Sequence, residues 1–374
     1  MKAVLKGVGL FLKQEIVLAA AVVLAVVSMC FVPPDPGYAE YTDWDTICLL
    51  FTLMAAMKGF QRAGLFSFLA GKLLKKANTS LKIQAVLVFL PFVLSMFITN
   101  DVALITFVPF ALTVLKKAGL EKFIVPVVVL QTIAANLGSM LTPMGNPQNL
   151  YIFNVSGIGF GELILTMLPY GVLAAVMLTG SLFLTRSEAV TEVAAVEKPG
   201  NAFRLGWPAV AFVLAVLSLF NLIPSPILAG CMLLFLLIAD RDSLKKVDYS
   251  LLITFIALFI FIGNVGRIPE FRSFLSEILE GKVMIMGVAL SQIISNVPAA
   301  LLLSGFTSEW HEILIGVNLG GLGTLIASMA SLISYKAVAK DYPAAKFKYI
   351  LRFTLFNAAF LGVLIGLYYL IAAL

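Results

Sequence analysis

Long apolar runs interrupted by short polar knots set the pattern of this chain. By length and breakers, the first spans fall at 15–32, closed by Pro33-Pro34, and at 44–60. The stretch 63–77 is too short and too basic on one face to cross, which predicts an interfacial helix. Segment 83–115 is apolar with Thr99-Asn100-Asp101 at its middle. Lys75, Lys76 and Lys82 precede it and Lys116 and Lys117 follow it, so both ends belong on one side. It is then a re-entrant hairpin whose tip is the polar knot.

The next segment, 123–154, is a long helix broken over 138–147, and 162–185 follows it back. Mixed charge and a Pro-Gly pair make 186–204 a linker. Spans follow at 205–221, 226–238 and 249–264, then a second interfacial helix at 267–281. Segment 283–306 is broken by Ser295-Asn296-Val297-Pro298, 313–335 is Gly-rich in its first half, and 350–374 closes the chain. The pattern predicts an all-α polytopic membrane protein with about nine full spans.

The second half echoes the first. Asp43-Trp44 matches Asp248-Tyr249, and Arg62 and Phe66 match Arg267 and Phe271. Thr99-Asn100 matches Ser295-Asn296, Asn136-Leu137-Gly138-Ser139 matches Asn318-Leu319-Gly320-Gly321, and Gly145-Asn146-Pro147 falls opposite Ala327-Ser328-Met329. An odd number of crossings separates matching elements, so the repeats are inverted. The organisation is a first inverted repeat at 1–186 (hairpin 83–115, broken helix 123–154), a linker and connecting span at 187–223, and a second repeat at 224–374 (hairpin 283–306, broken helix 313–335).

Composition agrees: 61% of residues are hydrophobic and 12% charged, far from soluble domains. The net charge of +6 reflects sorting by membrane side, not affinity for nucleic acid. Lys2 to Lys13, Lys58 to Lys82, Lys116 to Lys122, Arg186 to Arg204, Arg241 to Lys246 and Lys336 to Arg352 fall on the cytoplasmic side. Asp35, Glu40, Asp43, Glu309 and Glu312 fall outside with Arg267, Arg272 and Lys282. This places the N-terminus inside and the C-terminus outside the membrane. No small-residue cleavage site follows the first apolar run, so it reads as a retained span. Cys30, Cys48 and Cys231 lack CxxC spacing and read as packing residues.

The polar knots carry the candidate chemistry. Hairpin tips present helix N-termini that attract anions, and carbonyls of the broken segments 138–145 and 320–323 are of the type that coordinates Na⁺. Thr99, Asn100, Asn146, Pro147, Asn149, Ser295, Asn296, Thr324 and Ser328 form the substrate-binding set. Asn100, Asp101, Asn136, Gly138, Gly145, Asn296, Asn318 and Gly320 form the set for a coupling Na⁺ or H⁺. Capping or interhelical hydrogen bonding alone would also use such side chains; their recurrence in register favours a site. Asp101 is the one formally charged residue in the four site segments, and a carboxylate there is costly unless functional or paired. His311 lies in the outer acidic cluster Glu309–Glu312 and, as a lone exposed histidine, reads as a surface residue. No metalloprotease, P-loop, dinucleotide or zinc motif is present, so neither an enzyme nor a resident cofactor is expected beyond a bound Na⁺.

Phe97-Ile98-Thr99-Asn100-Asp101-Val102-Ala103, Leu141-Thr142-Pro143-Met144-Gly145-Asn146-Pro147-Gln148-Asn149, Ser291-Gln292-Ile293-Ile294-Ser295-Asn296-Val297-Pro298 and Asn318-Leu319-Gly320-Gly321-Leu322-Gly323 resemble the signatures of the ion transporter superfamily. That group includes arsenite permeases, NhaD-type sodium/proton antiporters, citrate transporters and divalent anion/sodium symporters. The resemblance covers essentially the whole chain. It implies two hairpin tips meeting two unwound helices around substrate and coupling ions, with elevator-like movement. The chain departs from the symporters in having Val297-Pro298 after Ser295-Asn296, and in carrying Asp101. The expectation is a secondary transporter of a small inorganic or carboxylate anion coupled to Na⁺ or H⁺. A Na⁺/H⁺ antiporter or arsenite-type efflux permease is the alternative, and a passive channel is a weaker one. Its partners are a small-molecule or ion substrate and membrane lipid; a homodimer stays open.

Overall fold

The structure, a computed structural model, describes residues 15–184, 187–190 and 201–374. Lys2, Lys6 and Lys13, and residues 186 and 191–200 of the expected linker, lie outside the described residues.

Among the described residues the chain forms eighteen α-helices. The first eight are α1 (Ile16–Met29), α2 (Trp44–Arg62), α3 (Leu65–Leu74), α4 (Ser80–Leu94), α5 (Asn100–Lys117), α6 (Ile124–Ser139), α7 (Pro147–Ser156) and α8 (Phe160–Phe183). Then come α9 (Ala202–Leu219), α10 (Ser225–Ala239) and the single turn α11 (Arg241–Leu244). The last seven are α12 (Tyr249–Gly266), α13 (Pro269–Leu279), α14 (Val283–Ile294), α15 (Asn296–Ser304), α16 (Trp310–Leu319), α17 (Met329–Asp341) and α18 (Lys346–Ala372). The succession α2 to α8 recurs in order as α12 to α18: a long helix, a short one, two meeting at a polar junction, two flanking a gap, and a long closing helix.

Among the described residues five helical stretches are long and apolar enough to cross a membrane: Glu121–Ser139, Phe160–Phe183, Ala202–Leu219, Tyr249–Gly266 and Pro343–Ala372. The remaining expected spans differ for physical reasons. Helix α2 carries Asp45, Lys58 and Arg62, α1 and α10 have only 14 and 15 residues, and 313–335 is divided between α16 and α17. On α8, Leu165, Leu168, Val172 and Val176 form an exposed apolar stripe at helical spacing. Meanwhile Gln131, Ser139 and Asn149 are fully buried. Apolar outside and amide-rich inside is the arrangement a lipid solvent selects.

Two kinds of packing build the molecule. Helix α1 lies on α12, while α9 and α10 lie on α2, giving an outer group. Inside it, α4 and α5 pack on α6, and α14 and α15 pack on α16. The two inner sets then exchange partners: α17 packs on α5 and α15 packs on α7. Glycine permits the closest approaches, since a Cβ on Gly138 would sit 2.0 Å from the carbonyl oxygen of Phe92, and one on Gly316 2.4 Å from that of Met284.

Among the described residues Arg62 pairs with Asp240 and Asp242, and Lys122 with Glu188. Arg267 pairs with Asp35 at 2.7 Å, and His311 Nε2 lies 2.9 Å from Glu162. The hydrogen bond from Arg267 is the main cause holding the exposed Asp35 carboxyl below its ordinary 3.8.

Candidate functional site

Helix α5 begins at Asn100 because Thr99 is extended and its hydroxyl accepts from the Val102 N–H at 3.5 Å. The Asn100 Oδ1 accepts from the Asp101 N–H at 2.9 Å, so the first donors of this helix are met locally. The second junction is built differently. Ser295 stands between α14 and α15 at φ 74° and ψ 156°, a region normally left to glycine. It supplies no side-chain cap; instead the Asn296 N–H donates to the Ala327 carbonyl at 3.0 Å, and the Ser295 hydroxyl to the same oxygen at 3.4 Å. A strained turn thus ties one junction to the gap between α16 and α17.

Between α6 and α7 the chain leaves the helix after Ser139, makes one 3₁₀ turn at Pro143–Gly145, and restarts at Asn146-Pro147. Asn146 caps α7 by accepting from the Asn149 N–H at 2.9 Å, and Pro147 occupies the first turn, where its missing N–H costs nothing.

Five asparagines form a lattice that joins the halves. Asn100 donates to Asn136 Oδ1 at 2.9 Å, and Ser328 donates to the same oxygen at 3.1 Å. Asn136 donates to the Gly321 carbonyl at 3.4 Å. Asn146 donates to Asn318 Oδ1 at 3.0 Å, and Asn318 donates to Asn149 Oδ1 at 2.6 Å. Asn149 in turn holds the carbonyls of Met140 and Thr142 at 3.0 and 3.2 Å. Every one of these amides lies within the bundle, where the low dielectric makes unpaired polar groups costly.

In front of this lattice, the two junctions and both helix restarts converge on one cavity of about 30 Å³. Asn100, Asp101, Pro147, Ser295, Asn296 and Ser328 line it, six of the residues singled out from sequence. Glu15, Gln148, Ser250 and Thr254 also line it, and no described Lys or Arg does. That space fits about one water-sized group. Asp101 Oδ1 is buried without a hydrogen-bond partner. The charged residues acting on it through space are Lys58 of α2 and Asp248, which caps α12.

The other expected residues stand elsewhere. Asn136, Asn146, Asn149 and Asn318 belong to the lattice, not the lining, and Thr99 is a cap. Gly138 is still helical and its carbonyl accepts from the Leu141 N–H, so the unwound stretch is shorter than expected. The Gly320 carbonyl accepts from Gln292 Nε2 at 2.9 Å. Gly145 lets its turn fold back, since a Cβ there would meet Ser139 O at 2.1 Å. Thr324 is exposed, held by Gln292 through its N–H at 2.8 Å and its hydroxyl at 3.3 Å.

Two glutamines outside the expected set act as supports. Gln131 donates from α6 to Leu87 O at 2.7 Å and Phe107 O at 3.4 Å, joining α4 and α5. Gln292 ties α14 to the break after α16. An amide embedded in an apolar helix was the available signal for both.

A family model described as citrate transporter matches residues 9–309. An uncharacterized transporter of Methanocaldococcus jannaschii is 36% identical over 79% of this chain and 81% of its own length. The inner membrane protein YbiR of Escherichia coli is 33% identical over 82% and 83% of the two chains. A transporter of Dictyostelium discoideum named arsB is 29% identical over 32% of this chain and 21% of its own.

Proposed function

The chain belongs to the citrate transporter family, and from that premise we propose a secondary active transporter that couples movement of a small inorganic or carboxylate anion to Na⁺ or H⁺. The observation that carries this reading is the convergence of both polar junctions and both helix restarts on the Asp101 cavity. Broken helices inside a membrane bundle are tolerated where they enclose a transport site.

In this reading α4 with α5 and α14 with α15 are re-entrant hairpins, and the two helix successions are inverted repeats. The coupling cation or proton sits at Asp101, with Asn100, Asn296 and Ser328 nearby. The carbonyls of Gly138 and Gly320 each accept a hydrogen bond, and their second lone pairs stay in the coupling set. The anion enters when the inner helices shift against the outer group of α1, α2, α9, α10 and α12, because the space described holds little more than one ion. A reporter fused after Leu374 should read extracytoplasmic; a cytoplasmic reading removes the proposed span count.

Flux in proteoliposomes with imposed Na⁺ and pH gradients tests the coupling. Saturable uptake of an oxyanion or carboxylate driven by one gradient is the expected result, and unsaturable flux indifferent to both leaves only a channel. A second reading, cation/proton antiport, is favoured by a lining that has Asp101 and Glu15 but no described Lys or Arg. It is distinguished by gradient dissipation without any added anion.

A further inference from the structure

Away from the transport cavity, α2, α9 and α10 leave a cleft of about 410 Å³ lined by Arg62, Arg204 and Arg241. Its floor is aromatic. Gly59 lets the Trp207 ring lie on α2, since a Cβ there would stand 2.4 Å from the indole, and Trp207 rests on Phe235 with centroids 5.6 Å apart. The three arginines are not equivalent. Arg62 is engaged by Asp240, by Asp242 at 3.1 Å and by the Ser243 hydroxyl at 3.0 Å. Arg241 uses only Nε, donating to Leu237 O at 2.6 Å, and Arg204 has no ion pair among the described residues. Three arginines against Asp240 and Asp242 leave one net positive charge in the lining.

The surroundings of the cleft are apolar. Phe203 and Ile238 at its rim are 57% and 85% exposed. Farther along the same two helices Val210, Val213 and Leu234 are also exposed. One surface thus offers guanidinium groups at one end and uncovered hydrocarbon along the helices leading from it. Its ligand should be an amphiphile with a singly charged, oxygen-rich head, for which guanidinium forks are well suited.

We propose that this cleft binds the phosphodiester headgroup of an anionic phospholipid, with Arg204 and Arg241 on the phosphate and the acyl chains along α9 and α10. The lipid would clamp α9 and α10 to α2 and so stiffen the outer group.

The test compares the wild type with Arg204→Gln/Arg241→Gln, which leaves Arg62 and its ion pairs in place. Thermal unfolding is followed in detergent micelles doped with phosphatidylglycerol, with phosphatidylcholine, or with inorganic phosphate at equal concentration. Phosphatidylglycerol should raise the wild-type Tm several degrees more than phosphatidylcholine, phosphate should not, and the double variant should lose the difference. A preserved difference in the variant overturns the assignment, and so does a phosphate effect equal to the lipid's, which would mean a free-anion site. If the variant does not fold, native mass spectrometry of the wild type decides. Retention of phosphatidylglycerol over phosphatidylcholine from an equimolar mixture supports the site, and equal retention overturns it.

Discussion

Asn146 donates its side-chain amide to Asn318 across 172 positions of sequence, at 3.0 Å. Asn318 returns the contact through Asn149 at 2.6 Å, so one side chain serves both residues that start α7. Asn318→Ala should therefore strand Asn149 Oδ1 in a buried place and leave Asn146 Nδ2 with the Ser139 hydroxyl at 3.3 Å as its remaining partner, at a cost of about 1–3 kcal/mol. Denaturant unfolding in micelles measures this. Leu165→Ala, on the exposed apolar stripe of α8, is the control, and equal losses in the two variants would remove the lattice as a stabilising feature.

Asp101 faces the cavity with one oxygen unpartnered. Asp101→Asn keeps the shape and removes the charge, so flux in the variant should stop responding to whichever gradient drives the wild type. If the variant follows both gradients as the wild type does, Asp101 is structural and coupling rests on neutral ligands.

Ser295 holds a backbone conformation that strains any side chain, worth about 1–3 kcal/mol. Ser295→Gly relieves that strain, whereas Ser295→Ala removes the hydroxyl and leaves the strain in place. The glycine variant should melt above the alanine variant even though glycine is the more flexible residue when unfolded. The reverse order in a thermal scan would show that the turn is relaxed.

The Asp35 carboxyl, held down chiefly by its hydrogen bond from Arg267, gives a pH signature. A depressed carboxylate contributes stability that is present above its unfolded pKa and lost as pH falls through the folded one. Arg267→Gln should therefore lower Tm at neutral pH, and the gap to wild type should narrow as pH drops below about 4. A gap constant from neutral to acid would assign the effect to something other than this pair.

How far the sequence reached depends on the range of the interaction concerned. The helix start at Asn100 and the restart at Pro147 were legible because capping chemistry is local, within three or four residues. The two junctions and the two gaps were legible as repeated patterns. What Gln292 holds was not, since its partners Gly320, Leu322 and Thr324 come from another helix pair. Nor was Glu15, which reads as the polar edge of a first span yet lines the cavity. The donors beside the carbonyls of Gly138 and Gly320 were not legible either, because the sequence shows a break but not what packs against it.

The exchange of partners between halves also bears on the order of synthesis. Asn100, Asn136 and Asn146 leave the ribosome well before Gly321, Ser328 and Asn318, the groups that pair with them or share their partners. At roughly 5–20 residues per second, the 172 positions between Asn146 and Asn318 correspond to roughly 9–35 s during which the amides of the first half are without their partners from the second. Over that interval its amides must pair among themselves, keep water with them, or shelter against an insertion factor. The nascent first half is therefore the stage of this molecule's life most exposed to membrane quality control, and lesions in the last hundred residues should show up as degradation of the whole chain.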